Sequence, residues 1–153
     1  MRFIPRFTHL TLVLSMALFA VTAHAQGIPK EFHGKWAAIK DASGVAYSAQ
    51  EQAKQCRSGF QFSQKHTDIY PLEVSASKIE FASYVAGYEL KVIKIISSRP
   101  GDVQGIGNAS EWEEGADPDP NIKRKHFRLE RNGDSLIHTY DKNGRFYFKR
   151  CTK

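Results

Sequence analysis

The sequence predicts an all-β protein, an antiparallel up-and-down barrel of about eight strands with one short helix after the first strand. The second half of the chain is a series of short segments rich in β-branched and aromatic residues. Tight-turn sequences separate these segments, and two of them, RNGD and KNGR, contain the Asn-Gly pair that favours a hairpin. Because tight turns join antiparallel neighbours, the strands are expected to pair in chain order. Closing the sheet would remove its exposed edges.

Residues 1–25 are predicted to be a cleavable secretory signal. Arg2 and Arg6 precede the apolar run LTLVLSMALFAV, and the small residues of AHA end at Ala25. The run is shorter than the ~20 residues of a membrane-spanning helix, and no cysteine follows the cleavage site to carry a lipid. We therefore expect a periplasmic or secreted protein with no stable membrane anchor, whose single domain spans residues 26–153.

The net charge says little about partners. The whole chain carries +6 at pH 7 with 16 acidic residues, and removal of the signal takes two arginines away. A surplus this small mainly favours solubility. No nucleic-acid partner is expected.

Eight segments are candidate strands, the first of which carries Trp36 as its bulky inward residue. They are Gly34–Lys40, Thr67–Val74, Lys78–Tyr84, Tyr88–Ser97, Val103–Glu113, Ile122–Arg131, Ser135–Tyr140 and Arg145–Cys151. An eight-stranded barrel has an interior just wide enough for packed side chains or one small ligand. A β-sandwich remains an alternative, because alternation alone does not show where a sheet closes.

One short helix is predicted within YSAQEQAKQC. Ser48 can cap it, and Glu51 three residues later completes a capping box. Ala49, Ala53 and Cys56 share one face at helical spacing. This small-residue face is expected to lie close against other structure.

The segment YELKVIKII is apolar on both sides, since Leu90 and Val92 share one face while Ile93 and Ile95 share the other. Such a strand is buried on both faces or carries a bulge. A helix or a neighbouring loop is expected to cover its outer face, and the alanine-lined helix is the available element.

Both cysteines, Cys56 and Cys151, lie beyond the signal. In an oxidising compartment they have one intramolecular pairing available. A metal pair or a nucleophile is the alternative, but no nearby Cys or His completes a metal cluster and neither cysteine has an obvious local base. A structural disulfide is therefore predicted.

The stretch FHGKWAA, with Gly34 and Trp36, resembles the Gly-x-Trp opening strand of lipocalins and related calycin barrels. The resemblance implies that Trp36 closes one barrel end and that a basic residue of the last strand stacks across its ring. Arg150 is the candidate for this residue, with Arg145 behind it. Gly34 would leave room for a neighbouring backbone. The alternative is a core tryptophan in an unrelated barrel.

A second stretch, ASGVAYS, is similar to the Ser-Gly-x-x-Tyr segment of periplasmic inhibitors of C-type lysozyme. Ser43, Gly44 and Tyr47 match it. In that family the segment helps to occupy the enzyme's cleft, so the resemblance implies an inhibitor.

The sequence shows little catalytic or metal-binding chemistry. The histidines beyond the signal are scattered without metal-ligand spacing, so neither a metal nor another cofactor is expected. They are His33, His66, His126 and His138. Acidic and basic residues on either side of a turn in EWEEGADPDPNIKRKHFR are expected to pair across a hairpin. The acids are Glu111, Glu113, Glu114, Asp117 and Asp119, and the bases are Lys123, Arg124, Lys125 and Arg128. An enzyme, with Glu111, Glu113 or a histidine acting in a barrel mouth, is a minor alternative.

The functional prediction is a non-enzymatic exported barrel. It would bind a small apolar or amphipathic ligand inside the barrel, or a partner protein at its rim, as a monomer. The candidate ligand-binding residues are Trp112, Tyr84 and Tyr88. The alternative is an inhibitor or immunity-type protein of an enzyme in the periplasm or outside the cell.

Overall fold

A computed structural model describes residues 27–41, 43–57, 71–82, 86–113, 121–142 and 144–152. It shows a closed barrel of eight antiparallel strands in which each strand pairs with the next and β8 pairs with β1. The predicted fold class is confirmed, and the sandwich alternative is excluded. The elements are a 3₁₀ helix Lys30–Phe32, β1 Gly34–Ala38, α1 Ala49–Arg57, β2 Leu72–Val74, β3 Lys78–Ala82, β4 Ala86–Arg99, β5 Asp102–Glu113, β6 Lys123–Asn132, β7 Ser135–Tyr140 and β8 Arg145–Arg150.

The two ends of the barrel differ. The 3₁₀ helix and the connections β2–β3, β4–β5 and β6–β7 lie at one end, which we call the plugged end. The connections β1–β2, β3–β4, β5–β6 and β7–β8 lie at the other, which we call the mouth. Residues 58–70, 83–85, 114–120 and 143, which belong to these mouth connections, lie outside the described part of the chain.

Trp36 and Arg150 close the plugged end. The Trp36 ring is fully buried, and its Nε1 donates a hydrogen bond to the Phe32 carbonyl at 2.9 Å. The Arg150 guanidinium lies 4.0 Å from the centre of that ring. It also donates to the carbonyls of Glu31 at 2.6 Å and His33 at 3.0 Å. The expected stacking is therefore present, and it fixes the 3₁₀ helix across the barrel end.

Gly34 is needed here for its backbone conformation. Its φ of +119° lies in a region that side-chain-bearing residues rarely adopt. The nearest neighbour of a Cβ at this position would be Nη1 of Arg150, at 3.5 Å. The expectation of a closely approaching backbone was therefore wrong, because the neighbour is a side chain.

Side chains fill the described middle of the barrel. The inward residues that are at most 4% exposed include Leu72, Val74, Ile79, Leu90, Val103, Leu129, Leu136 and Phe148. At the inward positions Gly105 and Gly107, the space of an absent side chain is taken by Phe127 and Leu90. A Cβ at either glycine would come within 2.6 Å of these neighbours.

Strand β4 carries bulges, as predicted. Its register against β5 shifts twice, and Ile93 and Ile96 are the residues left without a cross-strand partner. They are 48% and 53% exposed. The expectation that the helix covers this face was wrong. Helix α1 instead packs against β1, where the Gln55 Oε1 accepts a hydrogen bond of 2.7 Å from the Ala38 amide.

Two predicted local features of α1 are confirmed. The Glu51 carboxylate accepts hydrogen bonds from the Ser48 amide and hydroxyl at 2.7 Å each, and the Ser48 hydroxyl accepts one from the Glu51 amide at 3.2 Å. A disulfide joins Cys56 to Cys151 and ties the helix to the residue after β8. Among the described residues, no helix combines the length and apolar character needed to cross a bilayer.

Candidate functional site

A polar and aromatic network lies inside the barrel near the mouth. Strands β4 and β7 present Tyr88, His138 and Tyr140 inward, because side chains on a strand alternate between faces. The two tyrosine rings stack with centres 4.0 Å apart and 7° between planes. The Tyr88 hydroxyl hydrogen-bonds His138 Nδ1 at 2.8 Å. The Tyr140 hydroxyl donates to Glu111 Oε1 at 2.6 Å.

Ion pairs surround Glu111. Its carboxylate lies 3.3 Å from the ammonium groups of both Lys123 and Lys125, and Lys125 also lies 3.3 Å from Asp141. Burial raises the pKa of Glu111, but the hydrogen bonds from Tyr140 and Lys125 outweigh it, so the pKa is lowered overall. Burial, followed by the hydrogen bond to Glu111, raises the pKa of Tyr140. The network therefore holds an ionised carboxylate against a neutral phenol.

These ion pairs confirm part of the charge-paired hairpin. Lys123 and Lys125 meet Glu111 across the β5–β6 pair. Two of the predicted bases depart from the prediction. Arg128 pairs with Asp102 at 2.9 Å and with Glu130 at 3.3 Å instead of with an acid near the turn, and the Arg124 side chain forms no ion pair within the described residues. The predicted acids at 114, 117 and 119 lie outside the described residues.

His138 is the most deeply buried ionisable group of the network. Burial lowers its pKa to about 3, so the ring is neutral near pH 7. Its Nε2 has no hydrogen-bond partner within the part of the chain that the structure describes. Nor does that part contain a group of three metal-ligating side chains. In this network Glu111 is held by Tyr140 and two lysines, and no contact joins it to His138.

The structure separates the predicted ligand-binding residues. Tyr88 belongs to the inward network. Trp112 follows inward-facing Glu111 and so lies on the outer face, over Gly87, where a Cβ would come within 2.3 Å of its Nε1. Trp112 is only 6% exposed there. Tyr84 lies outside the described residues.

A groove that the sequence did not predict as a site runs between α1 and the outside of the barrel. We call it the helix groove; its volume is about 540 Å³. The residues that line it are Ala37, Ala49, Gln52, Ala53, Cys56, Arg57, Lys149, Arg150 and Thr152. The Ala49, Ala53 and Cys56 face does point toward the barrel, but Ala49 and Ala53 stay exposed. The expected close packing is therefore present only in part, because α1 contacts β1 through Gln55 whereas the short side chains of Ala49 and Ala53 leave the groove open.

The helix groove combines an apolar floor with positive charge. The alanines and the disulfide form its apolar part, Gln52 and Thr152 are uncharged polar residues, and none of the described lining residues is acidic. Arg57 and Lys149 extend from opposite walls, and within the described chain neither side chain forms an ion pair or hydrogen bond. Such a lining suits a molecule with an apolar body and a negative group.

Comparisons with protein families, with curated proteins and with solved structures find no match to this chain.

Proposed function

We propose that this protein is an exported, non-enzymatic barrel that binds a small amphipathic anion in the helix groove. The observation that carries the proposal is the groove itself, whose volume of about 540 Å³ lies in the ~300–1,000 Å³ range of sites that take small molecules. The filled middle of the barrel argues against an interior site. The Cys56–Cys151 disulfide is compatible with an oxidising compartment.

The ligand's charge is set by the lining of the groove. Arg57 and Lys149 attract an anion, and the exposed position of both groups keeps the attraction dependent on salt. The exposed side chains of Ala49 and Ala53 offer contact to methylene or ring carbons. A carboxylic acid with an apolar chain meets both requirements.

The proposal is tested by titrating the protein, purified after export, with a fluorescent fatty-acid analogue. Ala53→Phe fills the groove and is expected to weaken binding at least ~10-fold, and Arg57→Gln and Lys149→Gln about 3- to 10-fold each. Gln50→Phe is the matched control, because residue 50 is exposed on α1 and is not among the groove residues. The methyl ester of the probe is expected to bind more weakly than the free acid.

Two results would contradict this proposal. Absence of any uptake of the fluorescent acid discards the small-ligand function. Uptake that Ala53→Phe leaves unchanged moves the site away from the groove.

A second candidate function, inhibition of an exported enzyme, is favoured by the loop before α1, of which residues 41 and 43–47 are described. The Asp41 carboxylate accepts hydrogen bonds from the Ser43 hydroxyl at 2.7 Å and the Val45 amide at 2.8 Å. A bridge between Lys40 and Ala46 closes the loop, and Val45, whose carbonyl accepts a hydrogen bond of 2.9 Å from the Asp41 amide, is 64% exposed. A loop already held in one conformation loses little entropy on entering a cleft.

The inhibitor candidate is tested by capture of exported proteins at low salt, followed by an activity assay of each captured enzyme. Val45→Asp is expected to abolish inhibition without changing the fold. If no enzyme is retained and inhibited, this candidate is discarded.

A further inference from the structure

The outer face of strands β4, β5 and β6 combines isoleucine side chains with cations. We call it the basic outer face and define it by Lys91, Ile93, Lys94, Ile96, Ile106 and Arg124. The register places Ile106 beside Lys94, and Asn108 between Lys91 and Arg124. The face lies on the side of the barrel opposite β1 and the helix groove.

The bulges of β4 create the apolar part of this face. A bulged residue has no cross-strand partner and need not follow the alternation of the strand. Ile93 and Ile96 occupy the two bulged positions and are 48% and 53% exposed. Together with Ile106 they form an aliphatic surface that no described element of the protein covers.

The charged part of the face is entirely positive. Within the described chain, the side chains of Lys94 and Arg124 form neither an ion pair nor a hydrogen bond. The Lys91 ammonium lies 3.4 Å from the carboxylate of Glu89, at the margin of the face. The same carboxylate lies 3.6 Å from the Lys78 ammonium. No acidic residue occurs at 91–96, 104–108 or 124–126. Only an acidic partner complements this charge.

We propose that the basic outer face docks on an anionic phospholipid surface. Aliphatic side chains that protrude between cations can enter the boundary between headgroups and acyl chains while the cations contact phosphates. The composition favours lipid over protein, because the centres of protein interfaces are enriched in aromatic residues and depleted in lysine. This face carries two lysines and none of Phe, Tyr or Trp. The expected binding is peripheral and reversible by salt.

Vesicle co-sedimentation tests the proposal with the protein purified after export. Vesicles with ~30% phosphatidylglycerol are expected to retain the protein at low salt and release it as salt rises, and pure phosphatidylcholine vesicles are expected to retain little. Lys94→Gln and Arg124→Gln are expected to lower partitioning about fivefold each. The double variant Ile93→Ser with Ile96→Ser is expected to lower partitioning about tenfold. Because Ile93 and Ile96 are exposed, this variant is expected to fold.

Val45→Ser is the matched control, because Val45 is 64% exposed but lies on the loop that leads into α1. It is expected to leave partitioning unchanged. Equal binding to neutral and anionic vesicles, or binding that the isoleucine double variant does not weaken, would overturn the proposal. Absence of vesicle binding would also overturn it, and this includes the outcome in which the face binds an acidic soluble protein instead of vesicles.

Discussion

At the scale of single residues, the alternation of a strand decides which groups share an environment. Glu111 and Trp112 are neighbours in the chain, yet one joins the inward network and the other packs over Gly87 outside the barrel. His138 faces the same interior and is fully buried there. The burial of His138 makes stability depend on pH, and the stacking of Arg150 on Trp36 contributes to stability at a fixed pH.

Stability is expected to fall as the pH drops below about 6.5, because of His138. The folded protein holds this pKa at about 3, whereas the unfolded chain protonates the ring near its ordinary pKa of about 6.5. Between these values the unfolded state binds the extra proton, so unfolding becomes easier by about 1.4 kcal/mol for each pH unit lost. Denaturant titrations between pH 7 and 5 measure this slope.

His138→Gln is expected to flatten that slope, although it also lowers stability at every pH. His126→Gln, which removes an exposed histidine from β6, is the control. If His138→Gln keeps the wild-type slope, the buried ring is not its source.

Arg150→Met is expected to lower the free energy of unfolding by about 2–3 kcal/mol. The variant loses the contact with the Trp36 ring and two charge-assisted hydrogen bonds to the carbonyls of Glu31 and His33. Arg145→Met on the same strand is the control. Arg145 makes a 3.1 Å exposed pair with Glu130, and its loss is expected to cost at most about 1 kcal/mol. Equal losses in the two variants would contradict this account of the plugged end.

At the scale of elements, helix α1 depends on a few attachments. The capping box stabilises its start, the bond from Ala38 to Gln55 holds its middle, and the disulfide holds its end. The alanine face is too short to pack on the barrel, which leaves the helix groove. An element with so little buried surface should respond strongly to loss of its covalent link.

Reduction of the Cys56–Cys151 disulfide is expected to destabilise the protein by about 4–5 kcal/mol. The bridge spans 95 residues, and closing a loop of about 100 residues removes that much unfolded-chain entropy in the simplest model. Denaturation with and without a thiol reductant measures the difference. The double variant Cys56→Ser with Cys151→Ser is expected to have the stability of the reduced protein, and the reductant is expected not to change it. An unchanged midpoint in reduced wild-type protein contradicts the prediction.

At the scale of the whole molecule, a closed eight-stranded sheet has little interior volume, and this chain fills the described part of it. The surroundings of Gly107 show how tightly this interior is packed. A Cβ there would lie 2.6 Å from Leu90 Cγ and 2.7 Å from the Lys91 carbonyl oxygen. The interior therefore responds to a single added methyl group.

Gly107→Ala is expected to lower the free energy of unfolding by about 1–3 kcal/mol, because overpacking forces neighbours out of place. Asn108→Ala is the control, since Asn108 is exposed on the next position of β5, and it is expected to change stability by less than about 0.5 kcal/mol. Thermal unfolding of both variants measures the difference. A fully tolerated Gly107→Ala would mean that the middle of the barrel has room.

The sequence by itself determined the all-β class, the order of the hairpins and the one short helix, whereas closure into a barrel stood beside a sandwich as one of two alternatives. Turn chemistry such as RNGD fixes hairpins locally, the Ser48 and Glu51 pair marks a helix start, and two cysteines leave one pairing. Segment boundaries were predicted to within a few residues for most strands, and Ser135–Tyr140 without error.

Only the tertiary structure decided the sites. The sequence showed that Ala49 and Ala53 share a face, but the space between that face and β1 depends on where the disulfide and Gln55 hold the helix. The register of β4 against β5 decided that Ile93 and Ile96 are exposed. Distances between segments remote in the chain are set by register and packing, which local patterns of residues do not encode.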